Sequence, residues 1–220
     1  MKIIELATEA IIPIGPDESC KMALEMMENL DLRHLPVVAE GKYVGLVAHS
    51  DILNVDDAQK VVEVLHPSSR EMTVYGSEHF FAAISLMYEK GLTLVPVIDH
   101  NNNYCGTISQ ERILFAFAES LSFTEPGGIL VLKVNRRDYS LAEIAQIIES
   151  EHGLILTTFI HKSPDSKFVF VTVKINKNNL DAISRSFERH EYEIQAAYLE
   201  EEYEDVLKER YDELMNYLNI

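Results

Sequence analysis

The first 122 residues of the sequence repeat themselves at an interval of about sixty residues. The segment Leu-Pro-Val-Val at 35–38 returns as Val-Pro-Val-Ile at 95–98, and the segment 45–53 returns as 106–114. One extra residue lies in the polar hairpin of the second copy, where an insertion costs little. Because a repeat of this length determines the architecture, we expect two related units about a pseudo-twofold axis, each offering one similar site.

Each repeat predicts the order strand, helix, strand, strand, helix. In the first repeat, a short strand at 11–14 precedes a helix over 17–30, whose apolar residues recur at helical spacing. A hairpin with strands at 35–38 and 43–47 follows, and Asp51 begins a second helix. The corresponding elements of the second repeat are 72–74, 78–90, 94–98, 104–108 and 112–120.

The composition restricts the class of partner. The net charge of −17 argues against binding to nucleic acid or to an anionic membrane, since both surfaces attract clustered Lys and Arg. The two cysteines, Cys20 and Cys105, form neither a disulfide framework nor a metal-ligand spacing. No apolar stretch resembles a signal peptide or a membrane span. We therefore expect a cytoplasmic protein with reduced thiols.

A different pattern follows a turn-rich linker at 123–128. Its predicted elements are a strand at 129–134, a helix at 140–151, strands at 154–160 and 168–175 joined by a turn at 163–165, a helix at 180–190 and a strand at 193–199. Ser140 is the predicted N-cap of the first helix, with Glu143 three residues later. The β-α-β-β-α-β order predicts a ferredoxin-like lobe.

The last 21 residues predict an amphipathic helix over 200–220. Its apolar stripe consists of Tyr203, Leu207, Tyr211, Leu214 and Leu218. Acidic residues crowd its start, the end of a helix that favours negative charge. The predicted fold class is therefore α+β. The predicted domains are a paired repeat over 1–122 (copies about 1–62 and 63–122), a linker over 123–128, a lobe over 129–199 and a helix over 200–220.

The repeat resembles a tandem pair of cystathionine-β-synthase (CBS) domains, often called a Bateman module. The resemblance rests on the proline-centred strand, a Gly-x-x-Ser/Thr-x-x-Asp motif and the helix between them, in both copies. Residues 127–199 resemble an ACT domain, and the combination is similar to regulatory proteins of the acetoin-utilisation type. The resemblance implies a non-catalytic, homodimeric regulator that acts on a protein partner and needs no cofactor.

The resemblance also implies what the two clefts between the paired domains bind: AMP, ADP, ATP or S-adenosylmethionine. The motif hydroxyl contacts the ribose-phosphate region, and the motif Asp accepts hydrogen bonds from both ribose hydroxyls. Strand backbone around the proline holds the adenine edge, and a basic residue on that strand pairs with phosphate.

The first copy retains the motif acid as Asp51 but has Ala48 at the hydroxyl position. Arg33 is the candidate phosphate partner. The strand residues assigned to this cleft are His34, Leu35 and Pro36, and His34 and His49 can make binding depend on pH. A competing interpretation for Asp51 is a simple helix cap.

The second copy departs from the motif in the opposite way. Ser109 retains the hydroxyl, but Arg112 stands where the ribose-binding Asp belongs. An arginine cannot accept from ribose hydroxyls, although it can pair with phosphate. The cleft that contains Asp51 is therefore the preferred nucleoside site. In the ACT-like lobe, Tyr139 replaces the glycine that allows close approach to an amino-acid ligand, so we expect an assembly role there.

Two functions remain open from the sequence. The first is an adenine-nucleotide sensor, which depends on Asp51 and Arg33; the second is a ligand-independent homodimerisation scaffold with degenerate nucleotide sites. RNA binding by the lobe, suggested by Phe168 and Phe170 on one strand face, conflicts with the acidic charge. No nucleophile, metal or phosphate-loop motif supports an enzyme.

Overall fold

The computed structural model describes residues 1–162 and 167–199. The chain divides into two compact units, residues 1–117 and 118–220. The two sequence repeats lie in the first unit except for the last residues of the second repeat, and the β-α-β-β-α-β pattern lies in the second unit. The predicted turn at 163–165 and the predicted helix at 200–220 lie outside the described residues.

The first repeat is built around one antiparallel hairpin. Its elements are α1 (Ile3–Leu6), α2 (Cys20–Asn29), β1 (His34–Ala39), β2 (Lys42–Ala48) and α3 (His49–Ile52), and α4 (Val61–Val64) then begins the second repeat. Helix α2 begins after Ser19, whose hydroxyl accepts from the backbone N–H of Met22 and so satisfies one exposed donor of the first turn. The predicted strand at 11–14 is reduced to a single parallel bridge between Ile14 and Val37, since Pro13 supplies no N–H.

The second repeat reproduces this arrangement with a longer final helix. Its elements are a 3-10 helix (Pro67–Glu71), β3 (Val74–Tyr75), α5 (Phe81–Lys90), β4 (Leu94–Ile98), β5 (Tyr104–Ser109) and α6 (Gln110–Ser120). Strand β4 pairs antiparallel with β5 and parallel with β3. Pro96 lies opposite Thr107 as Pro36 lies opposite Leu46, so the predicted repeat holds at the level of strand register.

Helix α3, which takes the place of the predicted second helix of the first repeat, is a single turn. Helix α3 begins at His49, so Asp51 is its third residue and not its first, and the helix ends at Ile52. The residues that follow, 54–57, are Asn, Val, Asp and Asp, which are weak helix formers. The corresponding part of α6 contains Ala116 and Ala118 and continues for eleven residues in all.

The two repeats exchange their leading segments. Helix α1 precedes the first repeat but packs on the second, where the N–H groups of Ile3 and Ile4 donate to Glu78 and Gly76 at 2.9 and 3.0 Å. Helix α4 precedes the second repeat but packs on the first. There, the N–H groups of its first two residues donate to the carbonyls of Glu18 and Pro16 at 2.9 and 3.0 Å. Each repeat is thus completed by a segment that lies beside the other repeat in sequence.

The side chains of the exchanged segments complete the two cores. Ile3 is fully buried in the cluster of the second repeat, together with Leu94 and Ile108. Val61 is fully buried in the cluster of the first repeat, together with Leu35 and Val47. Burying such a side chain stabilises the fold by roughly 1.5–3 kcal/mol, so the exchange ties the stability of each repeat to the other.

Hydrogen bonds between the tips of the two hairpins also join the repeats. The Lys42 ammonium donates to the Asn101 carbonyl and the Asn103 side chain, both at 2.7 Å, and the Tyr104 N–H donates to Gly41 at 2.9 Å. The Asp99 carboxylate accepts from the Asn103 side-chain amide and from backbone N–H groups within its own turn, which lowers the pKa of that carboxyl and holds the loop. The extra residue seen in the sequence therefore belongs to a loop that contacts the first repeat.

The second unit is a ferredoxin-like lobe, as the element order predicts. Its elements are β6 (Gly128–Asn135), α7 (Leu141–Ser150), β7 (Ile155–Lys162), β8 (Phe168–Ile175), α8 (Asp181–Arg189) and β9 (Glu193–Tyr198). The sheet is antiparallel with strand order β7-β8-β6-β9. Ser140 is the N-cap of α7 and accepts from the Glu143 N–H at 3.2 Å. Residues of α7, α8 and one sheet face form a single core around Phe187.

A substitution at Gly106 tests the contact between the exchanged segment and the second repeat. Its φ is +121°, and a Cβ there would lie 2.9 Å from the carbonyl oxygen of Thr8. We expect Gly106→Ala to lower the free energy of unfolding by about 2–4 kcal/mol, because backbone strain and a backbone clash add. Urea denaturation followed by circular dichroism measures the change.

The control is Gly41→Ala, at φ +74° with nothing within 4 Å of the added Cβ. Strain alone acts there, so its cost should be about 1–2 kcal/mol. Equal losses in the two variants would contradict the importance of the Thr8 contact.

Candidate functional site

The first repeat contains a polar cavity of about 500 Å³ at the start of β1 and the end of β2. The predicted site residues Arg33, His34 and Ala48 line it, and Gly91 reaches it from the second repeat. Among the residues that the structure describes, the Arg33 guanidinium makes no hydrogen bond or ion pair. A cavity of this size with an unengaged cation suits a small anionic ligand.

Asp51, the acidic residue of the motif in the first repeat, caps the first turn of its own helix. The Oδ2 atom of Asp51 accepts from the backbone N–H of Ala48 at 3.1 Å. Asp51 is exposed and does not belong to the lining of the cavity. The helix-cap interpretation therefore describes the contact that is observed, and it leaves Oδ1 without a hydrogen bond within the described residues.

Leu35 and Pro36 are buried and form the wall behind the cavity rather than its lining. The carbonyl of Pro36 already accepts from the Ile14 N–H at 2.9 Å, and Val38 donates to the Ile14 carbonyl at 3.0 Å. An adenine edge is expected to hydrogen-bond to the strand backbone around Pro36. It would therefore compete with the bridge that Ile14 makes to β1.

His34 links the two repeats across the pseudo-twofold. Its Nδ1 lies 3.0 Å from the Thr93 hydroxyl, which occupies the place of Arg33 in the second repeat. Burial lowers the pKa of His34, with Arg33 acting in the same direction and Asp51 opposing it. The neutral imidazole is therefore favoured, with Nδ1 accepting from the Thr93 N–H at 3.4 Å.

In the second copy of the motif, the hydroxyl caps the helix, whereas in the first copy the carboxylate does so. The Ser109 hydroxyl accepts from the Arg112 N–H at 3.3 Å, and the Arg112 Nε donates to the carbonyl of Leu6 at 2.8 Å. In a complete capping box, hydroxyl and carboxylate both act. Here the first repeat retains the carboxylate half and the second the hydroxyl half. Neither Ser109 nor Arg112 lines the 500 Å³ cavity.

Several lining residues were not predicted as site residues. Ser50 and Gly91 line the cavity, and Glu28 and Asp31 supply acidic groups at its edge. His49, which the sequence analysis relates to this cleft, also lines it. Thr93, which bonds to His34, was detectable from the sequence because it lies three residues before Pro96, as Arg33 lies before Pro36. Gly91 was not detectable from a local motif, since it reaches the cavity from the end of α5.

In 1–162 and 167–199, His, Cys, Asp and Glu side chains form no group of three or more that could hold a metal ion. Over the same residues, no helix has the length and apolar character that crossing a membrane requires.

Comparison with protein families gives a match in each repeat. The family model described as CBS domain matches residues 3–58 and 61–119. These ranges together cover just over half of the 220 residues. They include both copies of the motif and the residues that line the 500 Å³ cavity.

Curated relatives match over part of their length. Over 161 residues, which are 73% of this chain, the sequence is 29% identical to an inosine-5'-monophosphate dehydrogenase of Methanocaldococcus jannaschii, and covers 32% of it. It is 25% identical to an uncharacterised protein of the same organism over 114 residues, which are 52% of this chain and 43% of that protein. The chain therefore spans less than half the length of these relatives.

A solved structure shares the fold. A CBS domain pair/ACT domain protein of Thermotoga maritima superimposes with a TM-score of 0.51 at 21% sequence identity. The superposition covers 55% of this chain and 99% of that one.

The lowered pKa of His34 predicts a pH dependence of stability. As the pH falls below about 6.5, the unfolded chain protonates this histidine before the folded chain does, so stability decreases. We expect His34→Asn, which does not titrate, to reduce this decrease. The measurement is urea denaturation at intervals between pH 7.5 and 5 for both proteins.

An identical pH slope in wild type and His34→Asn would contradict the role given to burial of His34.

Proposed function

Because the chain belongs to the CBS-domain family, we propose that its paired repeats bind an adenosine-type nucleotide and act as a non-catalytic regulatory module. The ligand class is AMP, ADP, ATP or S-adenosylmethionine. The observation that carries the proposal is the polar cavity of about 500 Å³ lined by Arg33, His34 and Ala48. Its volume falls within the range typical of small-molecule sites.

Different residues of the cavity are suited to different parts of the ligand. Arg33 offers a planar, always charged group for a phosphate or carboxylate, and it has no competing partner within the described chain. Asp51 lies on the same short helix as His49 and Ser50, which line the cavity, and its Oδ1 is available for a ribose hydroxyl. Ala48 leaves space where a larger residue would contact the ligand.

We propose one site per chain. In the second repeat, the Arg112 guanidinium is engaged by the Leu6 carbonyl, and Ser109 serves as a helix cap. The acceptor that a ribose needs is absent from position 112, which is arginine. The asymmetry between the two copies of the motif therefore favours occupancy in the first repeat alone.

Regulation follows if the ligand binds one arrangement of the repeats better than another. The hydrogen bond between His34 and Thr93 crosses between the repeats at the wall of the cavity. A ligand that displaces or strengthens this bond changes how the repeats are held together. We propose that a protein partner senses that change, that the protein acts as a homodimer in the cytoplasm and that the ACT-like lobe transmits the signal.

The alternative function is a ligand-independent homodimerisation scaffold. It is favoured by the fact that Asp51, Ser109 and Arg112 each already make a hydrogen bond that supports the fold. In this case the motif has kept its capping role and lost its binding role.

A thermal-shift panel of AMP, ADP, ATP, S-adenosylmethionine and NAD tests the proposal on wild type and two variants. Asp51→Asn keeps an acceptor for the Ala48 N–H but removes the charge and the second carboxylate oxygen. Arg33→Ala removes the phosphate partner. We expect one adenosyl ligand to raise the Tm of the wild type, and each variant to weaken binding by about tenfold or more, since a hydrogen bond to a charged group contributes about 1.5–3 kcal/mol.

Arg70→Ala is the matched control, because Arg70 is exposed and lines a separate cavity. Its ligand-induced shift should equal that of the wild type. No shift from any ligand, with an unchanged oligomeric state, would favour the scaffold.

A further inference from the structure

A smaller cavity lies where the chain passes from the first repeat to the second. It has a volume of about 280 Å³, and its lining comes from β2, from α4 and from the 3-10 helix Pro67–Glu71. Four apolar side chains form part of its wall, and its polar groups belong to His66, Ser69 and Arg70. It shares no lining residue with the polar cavity that contains Arg33, so a ligand in one contacts none of the residues that line the other.

Ser69 brings a buried hydroxyl to this cavity. The residue is 2% exposed, and within residues 1–162 and 167–199 its Oγ makes no hydrogen bond. A Cβ built on Gly45 would lie 2.7 Å from this Oγ, which places the hydroxyl against β2 at a position that has no side chain. Because buried hydroxyls in proteins nearly always have a partner, this one is a candidate donor to a ligand.

Arg70 supplies positive charge to the same cavity. Its guanidinium makes no hydrogen bond or ion pair with any residue that the structure describes. Of the described residues that line this cavity, none carries a carboxylate, whereas Glu28 and Asp31 lie at the edge of the Arg33 cavity. An arginine that meets no carboxylate in its cavity can present its fork of N–H donors to an oxyanion.

His66 offers a third donor. Its Nδ1 accepts from the backbone N–H of Ser68 at 3.2 Å and lies 2.7 Å from the Ser68 hydroxyl. Because Nδ1 is an acceptor, the ring proton of the neutral imidazole is on Nε2. The group that His66 can offer to a ligand is therefore an N–H donor, which suits an anion.

These donors lie on the segment that connects the two repeats. The Tyr43 hydroxyl, on β2, donates to the carbonyls of Ser69 and Met72 at 2.8 and 3.2 Å, and so holds the 3-10 helix against the first repeat. A ligand that contacts His66, before this helix, and Arg70, within it, would add a further link in the same connection.

We propose that this cavity binds inorganic phosphate through the Arg70 guanidinium, the Ser69 hydroxyl and the His66 Nε2–H. Its volume of about 280 Å³ is below the range typical of sites for larger small molecules, so it suits a free oxyanion and not a nucleotide. The bound phosphate fastens the segment between the repeats, and it does so independently of an adenosyl ligand in the Arg33 cavity.

Isothermal titration calorimetry of the full chain with inorganic phosphate, at constant ionic strength, tests the proposal. We expect Arg70→Ala to weaken phosphate binding by about tenfold or more, because it removes a hydrogen bond between charged groups. Arg33→Ala is the matched control and should bind phosphate with the wild-type affinity. Binding that is lost in Arg33→Ala and kept in Arg70→Ala would place the phosphate in the other cavity and overturn the proposal, as would a wild type that binds no phosphate.

Ser69→Ala separates binding from stability. It removes a buried hydroxyl that has no partner within the described residues, so the free energy of unfolding without phosphate should not decrease. Phosphate binding should nevertheless weaken by about tenfold, since the hydroxyl donates to a charged ligand. Wild-type phosphate affinity in Ser69→Ala would contradict the proposed site.

An excess of AMP distinguishes a free oxyanion from the phosphate group of a nucleotide. We expect the affinity for inorganic phosphate to be the same with and without AMP, because the nucleoside does not fit the smaller cavity. Displacement of phosphate by AMP would show that both ligands use one site, and the proposal would then be wrong.

Discussion

The exchange of leading segments between the repeats is the constraint on which the first unit depends. Helix α1 begins the first repeat but completes the second, and helix α4 begins the second repeat but completes the first, through backbone hydrogen bonds and the buried side chains of Ile3 and Val61. Neither repeat has a full core without the other. The exchange also brings the Leu6 carbonyl to Arg112, and this contact supports the proposed inequality of the two motif sites.

The inequality of the sites has a simple chemical basis. A hydroxyl and a carboxylate three residues apart can both cap a helix and both bind a ribose, because the same acceptors serve either role. Asp51 retains one acceptor oxygen beyond its cap, and Ser109 retains its hydroxyl beside an arginine held by the exchanged segment. Because Arg33 is unengaged within the described residues, we propose that the first repeat takes an anionic nucleoside and that the second does not.

Much of the fold could be predicted because it depends on periodicity. The sixty-residue repeat predicts two related hairpins, and the β-α-β-β-α-β order predicts the ferredoxin-like sheet. The exchange of α1 and α4 could not be predicted, since the pattern of a short apolar turn does not specify which of two similar cores it enters. Arg33, His34 and Ala48 line one cavity, but Gly91 reaches it from the other repeat, and Asp51 caps its own helix turn.

Equilibrium dialysis of the full chain against each adenosyl ligand at 1 mM tests the central claim most directly, because it counts bound molecules. The account predicts that one ligand binds at one molecule per chain, and that Arg112→Ala leaves this number unchanged. No binding of any ligand at this concentration would contradict the nucleotide site. Two molecules per chain would contradict the inequality of the repeats.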